Sequence, residues 1–393
     1  MPKITIKEID LTTGGSLNAT SNIVYVPGLA QKLPSDFDIN DKPRLYQDLS
    51  SFQADFGNKV PIISLGNSAS TAPGFGDGFA YDTGYIYATE LLRLGMPVLY
   101  DCLCSINPSG YAYKLPGNDS IITGKTEQNI PSDAIIQYIA PLDVGNAFNY
   151  NGEDGIVSRI ATAVNEAYLK DKGLYNIKFI SNGGYIDGNI NKAIEALAVA
   201  RGDCCAIQDI SYDKTYNDIK NAINANKLSD IDISVTGDPT GKYTAAFTPW
   251  GSYKVPCIQN YVKETTSSAN GKRDYYKDEV ELPASFAYLM AAANCFATGV
   301  NNWSAIAGAS RGTIPYLQHL NEHYTEEQIN SVLQTRDKVA INPIATINPF
   351  GDIIWGNRTL FNNVINGNLT ASSFLNIRNL ISDVKKTIFK AAR

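Results

Sequence analysis

Tyr175-Asn176-Ile177-Lys178-Phe179-Ile180, then Asp187 through Gly202, then Cys204 to Ile210 read as strand, helix and strand. Asp187 is placed to cap a helix whose Ile190, Ile194, Leu197 and Ala198 share one face, and Gly202 stands just past its end. The same rhythm continues on both sides. Upstream, Ile156, Ile160, Ala163, Val164 and Ala167 mark a helix stopped by Gly173. Downstream, a helix around Tyr216, Ile219 and Ile223 leads to strands at Ile231–Val235 and Tyr243–Thr248. Strands separated by helices of this length imply a largely parallel sheet covered on both faces, an α/β fold.

Residues 1–20 form an extended arm and hinge in this reading. Ile4, Ile6 and Glu8 alternate with Thr5, Lys7 and Ile9, and Thr12-Thr13-Gly14-Gly15-Ser16 breaks the pattern. A strand on a loose tether has no local partner. Residues 21–150 form a β-containing N-terminal region. It holds a strand at Ile23–Val26 turning at Pro27-Gly28, a short helix over Ser51–Phe56 stopped by Gly57, and a loop over 61–84. A helix over Tyr85–Leu94, a strand over Met96–Cys104 and an irregular surface insertion over 105–150 complete it. Residues 151–330 are the α/β core and 331–393 a partial α+β C-terminal domain. In the core, Pro283 opens an Ala-rich helix with Gly299 beyond it. The last helix starts near Ser372 or Ser373 and presents Phe374, Ile377, Leu380, Ile381, Val384 and Ile388 as one stripe, which needs a partner surface.

At 393 residues the chain can bury a large core. Charged residues make up 18% and Tyr numbers 23, a balance that suits extensive protein–protein contact. A net charge of -6 argues against a nucleic-acid partner. Lys3, Lys7 and Glu8 stand where a signal peptide needs an apolar run, and no window is apolar enough for membrane insertion, so the product is expected in the cytosol where it is made. Cys102, Cys104, Cys204, Cys205, Cys257 and Cys295 lack C-x-x-C spacing and read as small buried side chains.

His319-Leu320-Asn321-Glu322-His323 matches a zinc-protease pattern that needs both imidazoles on one helix with the Glu as general base. Thr325-Glu326-Glu327-Gln328 announces a new helix two residues later, and Pro315 limits the preceding one, so His319 and His323 are expected to bind no metal. Gly237-Asp238-Pro239-Thr240-Gly241-Lys242-Tyr243 has its glycines too close for a phosphate loop and reads as a turn. Thr123-Gly124-Lys125-Thr126 lacks the first glycine of such a loop, and Gly74, Gly76 and Gly78 lack the strand a dinucleotide fingerprint needs. No catalytic residue, metal ligand or cofactor is therefore expected.

Several segments, in order, resemble contractile phage tail sheath proteins. They are Arg201-Gly202-Asp203 with the apolar strand after it, Ala245-Ala246-Phe247-Thr248-Pro249-Trp250, and Val280-Glu281-Leu282-Pro283-Ala284-Ser285 with Gly299, Trp303 and Ala307-Gly308-Ala309. Asn342-Pro343-Ile344 and Trp355-Gly356-Asn357-Arg358-Thr359-Leu360 carry the resemblance most strongly, and Ile377-Arg378-Asn379-Leu380 is similar to the helix that follows. Ile306-Ala307 stands where the family pattern has Ala-Pro.

The resemblance implies a non-enzymatic structural subunit with the family's subtilisin-like α/β domain. Copies would stack in rings around a tail tube protein, between baseplate and tail terminator, in a virion tail made in the host cytoplasm. Contraction would drive the tube into the host envelope, as a change between two packings of the same subunits without a nucleotide. Ile4, Thr5, Ile6, Lys7, Glu8 and Ile9 would add as a strand to a neighbour's sheet. Trp355, Asn357 and Arg358 would organise the inner-domain core, with Trp355 filling its centre and Arg358 holding backbone carbonyls or a carboxylate. The family pattern continues beyond the helix that closes this chain, which implies a second sheath polypeptide, as in type VI secretion, a short paralogue or a truncated form. The rival readings are a non-contractile tail terminator or baseplate component, and a zinc protease built on His319, Glu322 and His323.

Overall fold

The computed structural model describes residues 22–30, 32–37, 42–58, 60–64, 79–103, 111–114, 122–125, 136–139, 156–235, 241–259, 279–301, 303–361 and 369–391. The arm segment Ile4–Ile9, its hinge, Cys104 and the glycines 74, 76 and 78 lie outside these residues.

Eight strands build the central sheet: β1 (Ile23–Gly28), β2 (Arg44–Tyr46), β3 (Val98–Cys102), β4 (Ile177–Ser181), β5 (Cys205–Asp209), β6 (Thr244–Thr248), β7 (Asn342–Ile347) and β8 (Gly351–Ile354). Their spatial order is β8-β7-β6-β5-β4-β1-β3-β2. The six inner strands run parallel, with Val24 opposite Val98, Ala206 opposite Ile180 and Ile207 opposite Ala245. Both edge strands, β2 and β8, are antiparallel additions. Every residue of β1, β3, β4, β5 and β6 is buried, as expected of strands covered on both faces. The divisions drawn at 150/151 and 330/331 run through this one sheet.

The helices are α1 (Leu49–Phe56), α2 (Thr83–Arg93), α3 (Ile156–Ala163), α4 (Gly188–Arg201), α5 (Tyr216–Ala225), α6 (Ala284–Ala297) and α7 (Leu375–Ala391), with shorter turns between them. Helices α2 and α6 pack on each other, α2 on β1, and α6 on β5 and β6. Asp187 caps α4 by accepting the Asn189 N–H at 2.7 Å, and Gly202 ends it at φ 65°, where a side chain would be strained. Thr215 and Asp218 form a reciprocal capping box on α5.

Several expectations need correction. Ile231–Val235 is not a strand: a 3-10 turn over Leu228–Ile231 ends at Asp232 in the left-handed region (φ 60°), and its apolar residues are buried without a ladder. The helix expected from Ile156 to Ala167 is broken into α3 and a single turn over Ala167–Lys170. Among the described residues, tyrosine is more a feature of the interior than of the surface. Tyr25, Tyr85, Tyr87, Tyr100, Tyr185, Tyr253 and Tyr288 are among the largest fully buried side chains. They are tolerated inside because most hydroxyls find partners, as in Tyr25 to Asp101 (2.6 Å) and Tyr87 with Ser285 (2.8 Å). Tyr46, Phe52, Phe56, Tyr85 and Tyr100 form one aromatic cluster between α1, α2 and β3.

In the segment read as irregular, Tyr111–Lys114, Ile122–Lys125 and Ile136–Ile139 form a small antiparallel sheet. Cys102, Cys204, Cys205, Cys257 and Cys295 are buried. Among the described residues no helix is long and apolar enough to cross a membrane.

Candidate functional site

A doubly wound sheet offers a ligand crevice outside the carboxyl ends of its strands, where the strand order reverses. Here the chain moves from β1 to β3 on one side and to β4 on the other, so that point lies between β1 and β4. It is filled by the protein itself. Asp82, fully buried, caps α2 by accepting the N–H groups of Leu29 (3.0 Å) and Tyr85 (2.8 Å), and Tyr185 donates its hydroxyl to the other carboxylate oxygen. Gly183 and Gly184 have φ of 68° and 81° and press onto Pro27 and Thr83, where an added Cβ would come within 2.5 and 2.7 Å of existing atoms.

Beside it, Asp209 accepts the Ser285 N–H at the start of α6 (2.6 Å) and faces the Asn182 amide at 3.5 Å. Asn191 donates to the Asp232 carbonyl at 2.6 Å. These buried groups tie the loop after β4 to α2, α4 and α6, and occupy the reversal among the described residues.

Burial pushes the carboxyls of Asp82 and Asp209 up to about 7, against the hydrogen bonds that pull them down. Both folded values lie above the unfolded carboxyl value, so this contribution to stability is complete below about pH 4 and is lost as pH rises through 7. Thermal melts are expected to show higher stability at pH 5 than at pH 8, by on the order of 2 kcal/mol per group, and Asp82→Asn with Asp209→Asn should flatten the profile. A melt unchanged or falling toward pH 5 would contradict the assignment.

The residues singled out from Asn342 to Arg358 do meet. Asn342 is fully buried; its amide donates to the carbonyls of Arg358 (2.7 Å) and Ala246 (3.1 Å), and its Oδ1 accepts the Arg358 N–H (2.7 Å). One side chain therefore fastens the chain after β8 to β6 and β7. Gly356 is required beside it, because a Cβ there would lie 2.6 Å from Asn342 Oδ1.

Asn357 donates to Asn376 on α7 (2.7 Å), and buried Arg358 reaches the Thr335 carbonyl at 3.4 Å. Trp355 does not fill a packing centre. β8 ends at Ile354, whose side chain is fully buried, and Trp355 turns outward, 43% exposed. Arg201, also fully buried, pairs with Asp203 (3.0 Å) and donates to the carbonyls of Leu169 (2.6 Å) and Tyr175 (2.7 Å), which accounts for the Arg-Gly-Asp sequence around the close of α4.

His319 lies on a strand, Leu317–Leu320, and not on a helix. Glu322 accepts the Tyr216 N–H (3.1 Å), His323 pairs with Thr346 (2.9 Å), and Thr325 and Gln328 form the capping box. The zinc-protease geometry is not made. A cavity of about 260 Å³ lies at the ends of β5 and β6, lined by Tyr212, Asp213, Lys214, Trp250 and Glu322 among others. Its polar groups are engaged with the protein: Asp213 binds Lys214 (3.0 Å) and Ser211 (2.7 Å), and the Trp250 indole donates to the Ile210 carbonyl (2.8 Å).

Helix α7 is turned inside out. Leu375, Arg378, Asn379, Ser382 and Lys386 are buried against the rest of the chain, while Leu380, Val384 and Ile388 are 39, 49 and 62% exposed. Phe374, Ile377 and Ile381 are half-buried at the margin of this stripe. Sequence periodicity finds the stripe; that its polar side faces inward was not legible from it.

No family model and no curated protein matches the chain. Its likeness is to solved structures. The chain is similar to sheath proteins. A baseplate structure of the anti-feeding prophage aligns over 100% of this chain and 76% of its own, at 12% identity and a TM-score of 0.48. The contracted sheath complex of PVC, an extracellular contractile injection system, aligns over 100% and 74% at 13% identity and a TM-score of 0.47. A sheath tail protein from Desulfitobacterium hafniense aligns over 99% and 82% at 10% identity and a TM-score of 0.46.

Proposed function

We propose that the protein is a structural subunit of a contractile tail sheath, polymerising with its own copies in stacked rings around a tail tube and contracting to drive that tube through the host envelope. The observation that carries the reading is α7, which spends its polar side on its own sheet and offers Leu380, Val384 and Ile388 outward. Soluble monomers avoid such contiguous apolar surface, and repeated assemblies use it. The resemblance of Arg201–Asp203 and of Asn342 with Arg358 to sheath motifs supports this assembly, and in the fold these residues are buried fasteners.

In this proposal Phe374, Ile377, Leu380, Ile381, Val384 and Ile388 face a neighbouring copy, and Ile4–Ile9 pair as a strand with a neighbour's sheet edge. The tail tube, baseplate and tail terminator are the further partners in this proposal. The location is a virion tail or a phage-derived injection device.

Because Ile388 is 62% exposed, Ile388→Glu should leave the melting temperature close to wild type while abolishing self-association in sedimentation velocity. Unchanged association in the variant would remove the stripe from the interface.

A further inference from the structure

The contact between α7 and its own sheet is polar and incompletely paired. Lys178 on β4 binds Asp383 at 3.0 Å, Lys386 donates to the Ile177 carbonyl at 2.6 Å, and Lys385 donates to the Gly202 carbonyl at 2.9 Å. The Arg378 guanidinium lies 4.4 Å from the centre of the Tyr243 ring. Three cations, Lys178, Arg378 and Lys386, are thus buried in one contact. The carboxylate that α7 sets against them is Asp383, and Asp203 nearby is held by Arg201 through two hydrogen bonds of 3.0 and 3.2 Å.

Four further polar groups are buried there without a partner among the described residues: Arg378 Nε and Nη2, Asn379 Oδ1 and Ser382 Oγ. Unpaired buried polar atoms and uncompensated buried charge each weaken a contact, and water would satisfy all of them on opening. Leu375 is the fully buried aliphatic side chain of α7 and Ile377 and Ile381 are half-buried, while Leu380, Val384 and Ile388 point away and contribute little to closure. Burial drives the Lys386 ammonium down to about 8; Asp203, Cys204 and Asp383 hold it up and Lys178 presses it further down.

We infer that α7 is a releasable clasp, a helix that lifts from its sheet in a local opening far easier than unfolding of the domain and uncovers the Cys204–Cys205 end of β5. The inference concerns this chain alone and stands whether or not the sheath reading holds. Opening would let the helix reorient its apolar stripe without disturbing the Asn342 fastener, which anchors the chain ahead of α7.

The chain carries its own probe. Cys204 and Cys205 are fully buried just beyond the Gly202 carbonyl that Lys385 of α7 holds at 2.9 Å, and burial pushes the two thiols up to about 12 and about 11. They react with a thiol reagent only when uncovered. N-ethylmaleimide labelling of the full chain in native buffer, mapped by peptide mass spectrometry, is expected to modify this pair more than ~10-fold faster than global unfolding allows, with little acceleration by low urea. Lys386→Met, which removes a buried charge and keeps the stem, should slow labelling ~10-fold relative to wild type; Asp383→Asn, which leaves Lys178 unpaired, should speed it by a similar factor. Labelling that tracks global unfolding in wild type, or an equal or faster rate in Lys386→Met, would overturn the inference.

Discussion

Asn342→Ala is expected to destabilise the subunit by about 3–5 kcal/mol, a large share of the ~5–15 kcal/mol that holds a typical domain together. The side chain is fully buried and makes three hydrogen bonds to backbone, two to Arg358 and one to Ala246. Its truncation leaves the Arg358 N–H and carbonyl without this partner and removes the side-chain bond to the Ala246 carbonyl, at about 1–3 kcal/mol for each group left unmet inside the protein. It also opens space that Gly356 has no side chain to fill. Asn342→Asp keeps the acceptor for Arg358 N–H but sets a carboxylate against two carbonyls, so it should be no better tolerated. Urea denaturation of both variants decides this; a loss below ~1 kcal/mol for the alanine variant would mean that the segment after β8 is held by something else.

The parallel sheet could be read from the sequence because its signals are local. Asp187 and Gly202 bracket α4, and the apolar runs of β4 and β5 are too continuous for a strand with one wet face. The capping box at Thr325 was equally local and was enough to keep His319 and His323 off a common helix.

What stayed hidden depends on residues far apart. Tyr185 meets Asp82 across 103 positions, and no pattern in either neighbourhood announces the contact. Trp355 is misplaced for a different reason. A large aromatic beside a buried strand reads as core, but β8 ends one residue earlier, and two consecutive buried isoleucines, Ile353 and Ile354, already use both faces of the strand end. The stripe of α7 was visible and its orientation was not, because periodicity assumes an apolar core to pack against. Here the surface under the helix presents Lys178, Tyr243 and backbone carbonyls, so the polar side of α7 is the one that fits.

Deletion of residues 1–12 should have the largest effect on assembly and a small one on folding. The sequence from Ile4 to Ile9 has the alternation of a strand and is followed by Gly14-Gly15, so the proposed role is strand addition to a neighbouring subunit. A six-residue strand contributes several backbone hydrogen bonds at ~0.5–1.5 kcal/mol each, which is enough to raise the assembly concentration more than ~100-fold when removed. The sheet centre and its fasteners begin at Asn22 and beyond, so the truncated subunit should melt at nearly the same temperature as the full chain.

Negative-stain electron microscopy of the purified full chain and of the chain lacking residues 1–12, at matched high concentration, tests the assembly claim directly. The sheath account requires ordered rings or tubes from the full chain and dispersed, folded subunits from the truncated one. Dispersed monomers from both, or ordered tubes from the truncated chain, would contradict it.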